Sequence, residues 1–142
     1  QEKKQDFTNK IVIVVNEDLQ PWQKANAISH VAAFIGNQLG ENFKTADFFV
    51  TQDGALHPRN SQYAIIILSA KPGQMTNLMT NIRSSGLMYH GFIKEMIETT
   101  DDAEITKILS SKKDSDIEYY AIGAFGNKDT LDSLTKKYSL YK

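Results

Sequence analysis

The stretch KIVIVVN, Lys10 to Asn16, constrains this chain more than any other. Its β-branched residues follow one another without polar alternation. A strand exposed on one face shows a period of two, so an unbroken apolar run reads as a strand covered on both faces. YAIIILSA, Tyr63 to Ala70, has the same character. Two such strands need a layer above the sheet and another below it, which points to helices on both sides.

The intervening segments supply those helices. Pro21 suits a first helical position, where its missing N–H costs nothing. Ala25, Ile28, Val31, Ala32, Ile35 and Leu39 then recur at helical spacing, and Gly40 offers a left-handed stop. A second helix follows Pro72, with Met75, Leu78, Met79 and Ile82 on one face and Gly86 closing it. Asp101 and Glu104 mark the start of a short helix, and Asn127 caps a last one whose apolar face is Leu131, Leu134 and Tyr138. Further strands are expected at Ala46–Gly54, ending in an Asp-Gly reversal, at Leu87–Lys94, and at Ile117–Gly126. HPRNSQ and KKDSD read as loops. The expectation is a polar arm at residues 1–9, then a single three-layer α/β/α domain over residues 10–142. Its sheet is expected to be mixed and mainly parallel. The length of 142 residues, with 41% apolar and 23% charged residues, suits one such core.

Composition removes several function classes. There is no cysteine, which excludes disulfides, thiolate catalysis and cysteine-held zinc. His30, His57 and His90 show no HxxxH or HExxH spacing, so neither a metal nor a cofactor is expected. No GxSxG elbow occurs. The net charge of −1 exerts no global pull on nucleic acid or an acidic membrane. No apolar run approaches the ~20 residues that span a bilayer. The start is polar, without the apolar segment of a signal peptide. A cytoplasmic protein without a membrane partner is expected.

Ligands of open α/β sheets bind beyond the carboxyl ends of strands. VVNEDLQPWQKANAISH, Val14 to His30, is such an end. Asn26 and His30 lie four apart on one helix face, with Ser29 alongside. Lys24 lies about 120° around the helix from His30 and nearer its start, so both can border one cleft. In the plainer alternative Lys24 is solvated, Asn26 is an ordinary helix residue and His30 packs against the sheet edge. Asp18 can orient Lys24 or His30, or hold its own turn. Trp22 can stack on a ring, or staple the helix to the core. Free N–H groups after Gly126 and Asn127 can hold a phosphate, although the glycine spacing matches neither a Walker loop nor a dinucleotide fingerprint. Asp53 and His57, in QDGALHP, read as a turn or as a site rim. His90, alternating within a strand, reads as structural.

Three segments carry a resemblance to peptidyl-tRNA hydrolase type 2: KIVIVVNEDLQPWQKANAISHVAA, IIILSAKPGQMTNLMTNIRSSGLM and AIGAFGNKDTLDSLTKKYSLY. QDGALH, HGFIKEMIETTDDAEITKIL and EYYAIGAFGNKDTLDSLT resemble more closely the bacterial domain-of-unknown-function 2000 family, which shares that hydrolase's fold. The resemblance implies a peptidyl-tRNA hydrolase II-like fold. It also implies roles for Lys24, for His30 with Ser29, and for an acidic residue after the third strand. Here Lys94 stands where that aspartate belongs, Glu95 is its neighbour, and a charged Lys94 close to Lys24 would repel it. The implied function is a module binding a small-molecule or nucleotide-type ligand, without the full hydrolase set. The alternative is a hydrolase with Lys24 and His30 as acid–base groups acting on an ester or amide, tRNA-linked or otherwise. A homodimer through exposed aromatics such as Trp22 or Phe92 is a further option.

Overall fold

The structure is a computed structural model and describes residues 4–142. Residues 1–3 of the expected arm lie outside the described residues. Asp6 ends the arm: its carboxylate accepts the N–H groups of Thr8 and Asn9 at 2.7 and 2.9 Å.

Strand β1 (Asn9–Asn16) is central. The five-stranded sheet has the order β5-β6-β1-β4-β7, with β4 at Ala64–Ala70, β5 at Met88–Ile93, β6 at Tyr119–Asn127 and β7 at Ser139–Leu140. Alternate residues of β1 serve opposite layers. Ile11, Ile13 and Val15 pack with Ala27, Val31 and Ile35 of helix α1 (Pro21–Leu39). Val12 and Val14 face Met75, Leu78 and Met79 of α2 (Pro72–Ser85) and Leu131 of α5 (Lys128–Thr135). Every residue from Ile11 to Asn16 is buried, as the unbroken apolar run requires.

The sheet is mixed but not mainly parallel. Only β1 and β4 pair in parallel; β1–β6, β5–β6 and β4–β7 are antiparallel. The reason lies between β5 and β6. A crossover would carry the chain over a sheet face to the far end. Instead, α3 (Lys94–Glu98) and α4 (Asp102–Ser110) leave and return at the same end, and the Lys94 N–H donates to the Glu118 carbonyl at 3.0 Å. Strand β6 must therefore run back against β5.

Local differences have similar causes. The buried stripe of α1 is Ala27, Val31, Ile35 and Leu39, whereas Ala25 is exposed on the far side of the helix. Gly86 takes the left-handed conformation (φ 76°, ψ 7°). Gly40 also has positive φ (55°) but ψ −130°, and the chain continues into a 3-10 turn, Gly40–Phe43. The expected strand at Ala46–Gly54 shortens to β2 (Phe48–Val50). It pairs with β3 (Leu56–Pro58), part of which reads as loop in sequence, in a separate exposed hairpin. Tyr138 lies beyond the end of α5 but still packs on the core.

Gly123 of β6 sits beneath α1, where an added Cβ would lie 2.2 Å from Val31 Cγ1 and 2.9 Å from Ile35 Cδ1. Gly123→Ala is expected to cost about 1–3 kcal/mol, the usual range for overpacking, measured by urea denaturation. Gly73 has nothing within 4 Å of an added Cβ. Gly73→Ala, in the first turn of α2, therefore serves as the matched change and should leave the midpoint unmoved or slightly raised.

Candidate functional site

Helix α1 presents different residues to the two edges of the sheet. At its start, the Gln20 N–H donates to Gln23 Oε1 at 2.9 Å, a side-chain cap for an otherwise open turn. Lys24 leans outward toward the β7 edge, its Nζ 5.7 Å from the centroid of the Tyr141 ring. His30 leans the other way, over β5. Its ring stacks on Phe92 with centroids 4.6 Å apart and planes 16° from parallel. Strands β5 and β7 are opposite edges of the sheet, so Lys24 and His30 do not share a cleft. About 120° of helical rotation separates two flanks here instead of joining them.

One turn further on, Phe34 stacks on His90, with centroids 4.3 Å apart and an angle of 18°. Two spacings generate this arrangement. His30 and Phe34 are four apart on a helix; His90 and Phe92 are two apart on one face of a strand. Because α1 runs against β5, the pairs cross, imidazole on phenyl in each case. The four rings form one wall of an open cleft of about 890 Å³. The α3–α4 segment forms the opposite wall with Met96, Thr99, Asp102, Ile105 and Thr106. No residue of α4 is fully buried, and this wall leans on the core through the partly buried Leu109.

Two contacts tie the far wall down. Glu95, only 7% exposed, accepts from Lys112 Nζ at 2.9 Å through Oε2. Its Oε1 has no hydrogen-bond partner among the described residues. Burial pushes the Glu95 carboxyl up, but the hydrogen bond and charge of Lys112 outweigh it and hold the group below its ordinary value. Beyond Lys112, the Asp114 carboxylate accepts from Arg83 at 2.8 Å and from the Tyr119 hydroxyl at 2.6 Å. Burial, reinforced by that bond, pushes the Tyr119 phenol up to about 12.

The remaining candidates from the sequence are dispersed. Asn26 is half-buried one turn before His30 and does not line the cleft. The Ser29 hydroxyl donates to the Ala25 carbonyl at 2.7 Å, within its own helix. Asp18 is exposed, and its N–H is held by Asn16 Oδ1 at 3.0 Å. Trp22 is 63% exposed and staples nothing. Phe92, in contrast, is 3% exposed beneath His30, so it offers no dimer surface. Asp53 and His57 belong to the outlying hairpin, where the Thr51 hydroxyl bonds the Asp53 carboxylate and holds it below its ordinary value. That hairpin hangs from the C-terminal end of α1 and the start of β4, the sheet end away from Lys24.

Gly126 and Asn127 also lie at that far end, opposite Lys10 and Asn9. Their phosphate role finds its donors already used. Asn127 Oδ1 accepts the N–H groups of Asp129 and Thr130, and the Lys128 N–H donates to Thr8. Gly126 is small because a Cβ would meet Leu87 Cδ2 at 2.5 Å. Lys94 does not confront Lys24. It lies 3.8 Å from Glu118 and 4.0 Å from Glu98, two carboxylates that balance it. Among the described residues no three His, Asp or Glu side chains are grouped to hold a metal ion. Nor is any helix among them long and apolar enough to cross a membrane.

His90 is the residue that reading the sequence passed over. The signal was present as two ring pairs, one at helical and one at strand spacing, but nothing local says that they meet.

A family model described as protein of unknown function (DUF2000) matches residues 9–142. Among solved structures, a protein of unknown function from Agrobacterium tumefaciens strain C58 is similar with a TM-score of 0.84 and 20% identity, over 96% of this chain and 100% of that one. This likeness speaks for the fold alone. No curated protein matches the sequence.

Burial, followed by the nearby His30, holds His90 below the ordinary histidine value of 6.5. In an NMR titration His90 should titrate below that value, and His30→Gln should raise it only in part, since burial remains. The fold favours the neutral ring, so His90's contribution to stability is intact above the unfolded-state pKa. It is lost as pH falls from there toward the folded-state pKa. A His90 that titrates at or above 6.5 would contradict this environment.

Proposed function

We propose that this chain, which belongs to the DUF2000 family of proteins of unknown function, is a ligand-binding domain whose site is the cleft between α1, β5 and the α3–α4 segment. The carrying observation is the paired stacking of His30 on Phe92 and His90 on Phe34 along a cleft of about 890 Å³. Ligand sites are typically concave and mainly apolar, with a few polar groups to orient the guest. This cleft has that composition: phenyl, thioether and isoleucine sec-butyl surface, two imidazoles, threonine hydroxyls and one carboxylate. The reading keeps the small-molecule expectation and moves the site from the start of α1 to its middle.

The second reading is a peptidyl-tRNA hydrolase-like enzyme on a peptidyl-tRNA hydrolase II-like fold. What favours it is the resemblance of the opening and closing segments, together with an exposed His30 at a cleft. Lys24 lends it no support from the opposite sheet edge, and Lys94 remains in place of the aspartate. Cleavage of peptidyl-tRNA by the wild type, lost in both Lys24→Ala and His30→Ala, would restore this reading. No such cleavage is expected.

For the binding reading the decisive variant fills the cleft. Ala33 lines it from the exposed side of α1. In ligand-observed NMR with a small-fragment mixture, hits on the wild type should vanish in Ala33→Trp and persist in Lys24→Ala and Trp22→Ala. Hits indifferent to Ala33→Trp but lost with Lys24 or Trp22 would move the site back to the helix start.

A further inference from the structure

We infer that the His30–His90 cleft selects a flat aromatic amine or amidinium, neutral or positively charged, and rejects phosphorylated or carboxylated guests. This rests on the binding reading above and names the chemistry of its ligand.

The first ground is charge. Among the described residues no lysine or arginine lines the cleft, and the carboxylate there is that of Asp102. Asp101 caps α4 and Glu104 shares its first turn, adding negative charge near that wall, although both line the groove on its other side with Lys107. An anion entering here meets no fixed cation. Arg83 shares a smaller neighbouring cleft with His90, but its guanidinium is bound to Asp114 and the Tyr119 hydroxyl.

Hydrogen-bond inventory gives the second ground. Helix starts often bind anions through free N–H groups, but those of Ala103, Glu104 and Ile105 in α4 are taken. Asp101 Oδ1 accepts the Ala103 N–H, and the Asp101 carbonyl accepts those of Glu104 and Ile105. The Thr106 hydroxyl spends its proton on the Asp102 carbonyl at 2.9 Å, which leaves its lone pairs toward a guest. A neutral imidazole carries one acceptor nitrogen beside its one N–H, and burial favours that form over the doubly donating cation at His90. That nitrogen, the Asp102 carboxylate and the Thr106 lone pairs give a guest carrying N–H groups its acceptors.

Shape is the third. The two stacks, each within 18° of parallel, bring aromatic rings to the cleft wall, His30 lying over the buried Phe92. Aromatic walls favour planar guests.

Benzamidine and benzoate test this directly, since they share ring and size and differ in the sign of the charge. Each is titrated at neutral pH into the isotope-labelled full chain, and amide and imidazole shifts are followed. Benzamidine is expected to perturb His90, Phe92 and Ile105 saturably, and benzoate is not. Asp102→Asn should weaken benzamidine about ten- to a hundredfold, the scale of one charge-assisted hydrogen bond. Thr106→Val should weaken it less, with the folded amide spectrum retained in both. Benzoate binding in the cleft as well as benzamidine does would overturn the ligand class and leave the binding site standing. Benzamidine binding unchanged by Asp102→Asn would likewise overturn the recognition by Asp102. Neither probe reaching the cleft, combined with fragment hits indifferent to Ala33→Trp, would overturn both the class and the site.

Discussion

The structure depends on β1 being buried on both faces. Ile11, Ile13 and Val15 hold α1 to one side of the sheet, and Val12 and Val14 hold α2 and α5 to the other. Burying one such side chain contributes roughly 1.5–3 kcal/mol, against a net stability of about 5–15 kcal/mol for a domain. Five consecutive residues with this role leave no room for a polar exception until Asn16. That residue is buried too, and it is satisfied: its amide donates to the Tyr119 carbonyl at 3.3 Å and accepts from Asp18. The strand thus ends by tying down the start of β6 and the turn that feeds α1.

From this central strand the position of the cleft follows. Helix α1 is broad enough to cover β1 and β6 and to reach β5, the edge strand. An edge strand leaves unpaired backbone that folded proteins usually shield. Here the α3–α4 segment runs alongside it, pinned through Glu95 and Asp114, and packs on the core through Ile97 and Leu109. A wall placed beside an edge instead of against it leaves space, and His30, Phe34, His90 and Phe92 line that space.

Much of the fold was legible because burial has a period. The unbroken run at β1, the stripe of α2, the Val31–Ile35–Leu39 part of the α1 stripe and the cap at Asn127 are local signals, and the structure repeats them. Strand direction was not legible. Alternation of strand and helix suggests parallel crossovers, but whether a helical segment crosses a face or doubles back depends on contacts such as Lys94 to Glu118, far apart in sequence. The site suffered from the same limit. Lys24 and His30 are near neighbours on paper, yet two flanks of one helix look toward opposite sheet edges. His90 needed Phe34, 56 positions earlier by residue number, to become more than a strand residue. The phosphate reading of Gly126 and Asn127 failed on hydrogen-bond accounting, which only coordinates supply.

The return of the chain at Lys94 and Glu118 has a consequence for how such a domain changes over generations. The excursion leaves and rejoins the sheet across one backbone hydrogen bond and ties back to it through Ile97, Leu109 and the Asp114 contacts with Arg83 and Tyr119, so the positions between these anchors can vary without disturbing the β5–β6 pairing. A segment anchored that way is modular. It can lengthen, shorten or be exchanged for another while β5 and β6 keep their pairing, because closing a longer loop costs little extra entropy. One wall of the cleft is therefore free to diversify while the ring-bearing wall stays fixed by the core behind it. Members of such a family can share an architecture and part company in what they bind, and grafting one member's excursion onto another's sheet becomes a practical route to new specificity.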